Sequence, residues 1–140
     1  MAFVLDTNVI SEFRKVQAGK GSARVAEWAV SVDRSDLYLS AITVMELEMG
    51  VKLMEHRDAA QGAVLRRWIS RVVLPEFNAR VLAFDTHVAV RAAALHVPDP
   101  QPWRDAAIAA TAMTHGMTLV TRNTSDFGPA GVAVFNPWAD

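Results

Sequence analysis

Short, fully apolar runs alternate with longer amphipathic stretches along this chain, and that alternation constrains the fold more than any other feature. Phe3 to Leu5 precedes a helical stretch from Thr7 to about Lys15, and Leu37 to Leu39 precedes one that resumes at about Thr43. Val81 to Phe84 leads into a helix that Asp85 or Thr86 can cap and that runs to about His96. Thr118 to Val120 and Val132 to Phe135 read as the last strands, joined by a turn. A strand that is apolar at every residue has no wet face, so it belongs inside a parallel sheet covered by helices on both sides. In such sheets ligands bind beyond the carboxyl ends of the strands, near the point where the strand order reverses.

The intervening segments agree with this reading. Gln17 to Ser22, with two glycines, is a loop, and Ala23 to Val32 is a further helix. From Asp58 to about Leu74, Val64, Leu65, Trp68, Ile69 and Val72 form one apolar stripe, with Arg66, Arg67 and Arg71 off it. Pro75 is expected to end that helix. Val97 to Pro102 holds three prolines and must be loop. Trp103 to His115 is helical and Gly116 stops it. The stretch Ala106 to Ala112 is almost wholly small and apolar, so it must be buried.

The chain of 140 residues suits one domain spanning residues 1–140, and 51% of it is apolar, enough to build a core. Its apolar runs fall short of the roughly 18 to 20 residues that span a bilayer. The first residues lack a basic leading segment, so no signal peptide is expected. A chain without cysteine suits a reducing cytoplasm, the expected location. The absence of cysteine excludes disulfides, thiolate zinc sites and cysteine nucleophiles. A net charge of −1 means that the molecule as a whole does not attract polyanions. A nucleic-acid partner needs a local patch, which Arg14 and Lys15, with Lys20 and Arg24, could supply; the alternative is a solvated helix face and loop.

Four acids fall where a strand end or helix start would bring them to one rim: Asp6, Glu46, Asp105 and Asp126. Each has an ordinary structural reading as well. Asp6 could simply cap the helix after it. Thr43 and Glu46 fit a capping box, with Ile42 and Leu47 as its staple. Asp105 could complement a helix dipole and Asp126 could close an Asx turn. Glu48 points away from Glu46, so both cannot face one site. Carboxylates converging from separate segments form a site for a hard divalent cation, which suits phosphodiester chemistry. The four histidines show no metal-ligand spacing, and Ser11 and Ser40 have no base beside them. The tryptophans read as core or interface, with Trp103 nearest the rim.

The order of these motifs resembles the PIN-domain nucleases, and within them the VapC-type toxins of bacterial toxin–antitoxin pairs. Leu5-Asp6-Thr7-Asn8-Val9-Ile10-Ser11-Glu12 looks like the first family motif, and Ser40-Ala41-Ile42-Thr43-Val44-Met45-Glu46-Leu47 with Gly50 like the second. Asp105-Ala106-Ala107-Ile108-Ala109-Ala110-Thr111-Ala112 looks like the third, and Thr121-Arg122-Asn123 with Asp126-Phe127 like the fourth. The resemblance implies a three-layer α/β/α sandwich with a mainly parallel central sheet, a homodimer, and inhibition by a cognate antitoxin protein. It implies an endoribonuclease whose Asp6, Glu46, Asp105 and Asp126 hold Mg²⁺ or Mn²⁺, with Thr7 and Asn123 as polar supporters. Water activated by the metal would then cut RNA directly, leaving 5′-phosphate and 3′-hydroxyl ends. Two rivals are a non-catalytic interaction module of the same shape and a receiver-like Mg²⁺-binding signalling domain. A receiver wants paired acids after the first strand and a lysine after a late one; here Asp6 is followed by Thr7 and Asn8, and Arg122 stands after Val120.

Overall fold

The computed structural model describes residues 1–139. Strands β1 (Phe3–Leu5), β2 (Leu37–Ser40), β3 (Val81–Leu82), β4 (Thr118–Val120) and β5 (Val134–Phe135) form one sheet in the order β3-β2-β1-β4-β5. All neighbouring pairs are parallel. Helices α1 (Thr7–Gln17) and α2 (Ala23–Ser31) connect β1 to β2, and α3 (Ala41–Arg57) and α4 (Ala59–Trp68) connect β2 to β3. Helices α5 (Thr86–Leu95) and α6 (Trp103–Thr114) connect β3 to β4. The chain leaves β1 toward β2 and later returns to its other side as β4, so the strand order reverses between β1 and β4.

The central strand shows why its residues are apolar throughout. Phe3 and Leu5 point into a core shared with Val9, Ile10, Val51 and Ile69 from the α1 to α4 side. Val4, between them, points the other way, into a core with Ala107, Ile108, Ala109 and Phe127. Both faces are covered, which makes three layers, α/β/α. The small residues of α6 let that helix lie close against the sheet: Ala106 to Ala112 are all buried.

Local chemistry explains the element ends. Asp85 caps α5 by accepting from Val88 N–H, and Gly116 turns the chain after α6 with φ +65°. Gly21, at φ +86°, sits where a Cβ would strike Glu12 Oε2 at 2.7 Å. Glu12 itself is buried and accepts from Ser22 N–H at 2.7 Å, so it pins the loop before α2.

Four expectations are corrected. Helix α3 starts at Ala41 with Ser40 as its cap, accepting from Ile42 N–H at 3.0 Å, so no capping box joins Thr43 to Glu46. Strand passes to helix without a loop, and Thr43 lies inside the first turn, fully buried. Pro75 does not end the helix after Asp58. The winding widens to a π-turn at Ile69–Val73, with Leu74 N–H bonding five residues back to Ile69, and one more α-turn follows at Leu74–Glu76. A proline lacks an N–H and crowds the carbonyl four residues back, and the wider turn relieves both problems. Val73 is buried, and Val72 and Val64 lie outside, against the predicted stripe. After β4 the connection is a 3₁₀ segment, Thr124–Ala130, so β5 begins only at Val134.

Candidate active site

The register of the sheet builds one side of the rim. Leu5 pairs with Val120, so Asp6 and Thr121 emerge side by side beyond the carboxyl ends of β1 and β4. Asp6 N–H bonds to Val120 O at 2.9 Å, and Asp6 then caps α1, its Oδ1 accepting from Thr7 N–H at 2.8 Å. Its Oδ2 accepts from the Thr121 hydroxyl at 2.8 Å. The lone pairs of that hydroxyl are engaged by Asn123 N–H at 3.1 Å and Asn8 Nδ2 at 3.5 Å, which leaves its proton for Asp6. Asp6 is only 7% exposed.

Thr7 reaches the next acid. Its hydroxyl donates to Glu46 Oε1 at 2.7 Å and lies 3.4 Å from Thr43 Oγ1. Glu46 stands in the second turn of α3, which starts directly at the end of β2. Its other oxygen faces Arg104 Nη1 at 3.7 Å, whose guanidinium also lies 5.7 Å from the Trp103 ring. Arg104 and Asp105 share the first turn of α6. Asp126 sits on the 3₁₀ segment, its N–H bonded to Asn123 O at 3.1 Å. Asp105 and Asp126 both line a cavity of about 350 Å³ between α5, α6 and that segment.

The acids feel one another. Burial pushes the Asp6 carboxyl above its ordinary range; the bonds from Thr121 and Thr7 act the other way, and the charges of Asp105 and Glu46 push it further up. Burial also raises Asp105, and the charges of Asp126 and Glu46 add to it. Mutually repelling oxygen donors of this kind suit a hard divalent cation. Among the described residues no three acids pack closely enough to enclose an ion by themselves. An ion here would be held by one or two of these carboxylates and by water, a mode that Mg²⁺ commonly adopts.

The remaining candidates lie differently. Asn123 is exposed and supports the site through its backbone N–H and carbonyl; the side chain makes no cap bond. Arg14 and Lys15 are in the last turn of α1, about 12 to 14 Å along the helix from Asp6. Arg14 lies over the Trp68 ring and Lys15 pairs with Glu12, so neither joins the acids. Glu48 faces away, as its spacing required, and binds Arg66 at 2.8 Å. Two supporters escaped the sequence reading. Thr121 stands in the fourth motif, but its role beside Asp6 is visible only once β4 is known to neighbour β1, and that of Arg104 only once Glu46 and α6 are known to meet.

The profile of the PIN domain family matches residues 3–128. The chain belongs to the PIN-domain family. This PIN domain is 42% identical over 142 residues to toxin FitB of Neisseria gonorrhoeae, covering 98% of this chain and 99% of that one. It is 37% identical to VapC ribonuclease Y4jK of Sinorhizobium fredii, covering 96% of each. The crystal structure of FitAcB from Neisseria gonorrhoeae superposes on it with a TM-score of 0.88 at 40% identity, over 99% of both chains. These relatives place the chain among the VapC-type PIN toxins.

Proposed function

We propose that this PIN toxin is an endoribonuclease that hydrolyses RNA phosphodiesters with Mg²⁺ or Mn²⁺, acting from a single domain. What supports the reading is that Asp6, Glu46, Asp105 and Asp126 lie along one rim at the strand-order reversal, where burial first and the charges of neighbouring acids second push Asp6 and Asp105 upward. A relative of the same length is named a VapC ribonuclease. Asp105 and Asp126 have no hydrogen-bond donor among the described residues and are the open ligands for the ion; Asp6 and Glu46 complete the acidic rim. The bound cation supplies positive charge at the scissile phosphate and makes water a better nucleophile. Thr121 and Thr7 hold the Asp6 and Glu46 carboxylates in place. Arg104, drawn to Glu46, stands at the rim and is placed to meet a neighbouring phosphate. Arg14 and Lys15 act farther off, on flanking RNA. By resemblance the protein works as a homodimer in the cytoplasm and is silenced by a cognate antitoxin protein.

The test is incubation of antitoxin-free protein with labelled RNA and Mg²⁺ or Mn²⁺, beside Asp6→Asn and Asp105→Asn. Cleavage that needs metal, yields 5′-phosphate ends and disappears in both variants supports the reading. A 2′,3′-cyclic phosphate product would refute direct attack by water.

A further inference from the structure

We propose that the cavity beside Asp105 and Asp126 takes one unstacked base of the RNA and prefers a base edge rich in N–H donors, guanine above uracil. This rests on the ribonuclease reading. Asp105 and Asp126 line the cavity and also belong to the acidic rim. A phosphate held at that rim therefore has its own or the adjacent base within reach of the opening. The volume, about 350 Å³, lies in the range of ordinary ligand clefts and exceeds that of one base.

The walls suit a flat ring. Ala106 and Ala109 of α6 form a shallow floor, with Pro98 and Pro102 beside it from the loop between α5 and α6. Single-stranded RNA is read by splaying a base out, stacking it on flat or apolar groups and bonding its edge. The loop adds two acceptor groups. Asp99 contributes a carboxylate, and Gln101 donates one of its two amide N–H groups to Asp99 O at 3.1 Å, which fixes the amide and leaves Gln101 Oε1 to accept, with the second N–H beside it. Guanine offers adjacent N1–H and N2–H donors to such a pair; uracil offers a single N–H between two carbonyls that these acceptors repel. Gln101 N–H bonds to His96 Nδ1 at 3.0 Å, so the loop is tied to the end of α5 and the acceptors are held in place.

The experiment maps cleavage of a panel of single-stranded oligoribonucleotides by the wild-type protein with Mn²⁺, then replaces the selected base with an abasic site. Cuts beside guanine, and a loss of at least about tenfold in kcat/KM at the abasic substrate, are expected. Ala94→Phe, an exposed position that lines the cavity, and Gln101→Ala should each reduce the guanine-to-uracil ratio by a similar factor. Active variants with an unchanged ratio overturn the pocket and leave the nuclease standing. So does an Ala94→Phe protein that keeps its base preference and loses only affinity for a protein partner. A wild-type protein that cuts no RNA with either metal overturns the ribonuclease reading and the pocket with it.

Discussion

Asp6 and Asp105 stand on the same rim, yet their surroundings differ. Asp6 is buried, with each oxygen taking a bond of 2.8 Å, and Glu46 beside it is held by Thr7 and faced by Arg104. Asp105 and Asp126 are more open, face a cavity, and have no donor among the described residues. One half of the rim is a scaffold, complete before any ligand arrives. The other half presents unengaged oxygens, where the proposed cation would arrive. The half on β1, β4 and α3 is tied down by hydrogen bonds, and the half on α6 and the 3₁₀ segment is left open.

The largest effect should come from the receptive half. Asp105→Asn is expected to lower RNA cleavage by at least about a hundredfold. It should also raise the melting temperature of the metal-free protein, because it removes a charge that burial and two acids disfavour. A variant that loses activity and is also less stable without metal would mean that Asp105 is structural, and the contrast with Asp6 would collapse.

Thr121→Val tests the scaffold half. The substitution keeps the shape and removes the donor to a buried carboxylate, so it should cost about 1 to 3 kcal/mol in urea unfolding. It should push Asp6 further up and weaken Mn²⁺ binding. Unchanged stability would show that Asp6 does not depend on β4.

The pH dependence sharpens the comparison, and its sign follows from the raised carboxyls. A folded-state pKa above the unfolded value means that the folded protein binds the proton more tightly. The stabilisation from Asp6 and Asp105 is therefore full below the ordinary aspartate value of 3.8 and lost as pH rises through their raised values. Without metal, acidifying from neutral pH should let these two groups favour the fold. With Mn²⁺ the trend should reverse, because ligation needs the carboxylates ionised. Melting curves at several pH values, with and without Mn²⁺, measure both, and Asp105→Asn should flatten each trend.

Arg104→Gln should have the smallest effect. Stability should change by less than about 1 kcal/mol, because its pair with Glu46 is partly exposed. RNA affinity should weaken a few-fold, and its salt dependence should lose about one phosphate contact. An unaltered salt slope would leave Arg104 as a counter-ion to Glu46 alone.

The two halves were not equally legible in the sequence. Phe3 to Leu5 and Thr118 to Val120 announce themselves because a short run without polar residues has few homes except a buried strand. Asp6 and Asp105 were visible because an acid directly follows one such strand and another opens a helix of buried alanines. The start of α3 was misread because Ser40 completes the β2 pattern and caps the helix at once, while Thr43 and Glu46 imitate a cap three residues later. The π-turn before Pro75 was hidden because a proline normally signals an end, and the wider winding that tolerates it has no clear composition. Thr121 could not be chosen as the partner of Asp6 from spacing, because nothing along the chain says that β4 lies against β1.

That pairing also sets an order in time. Asp6 and Thr121 are 115 residues apart, and at roughly 5 to 20 residues per second a ribosome needs about 6 to 23 seconds to get from one to the other. Until β4 emerges and slots in beside β1, the nascent toxin has its first carboxylate but not the strand that seats it. The acidic rim, whose last member is Asp126, therefore cannot be completed until nearly the whole chain has been made.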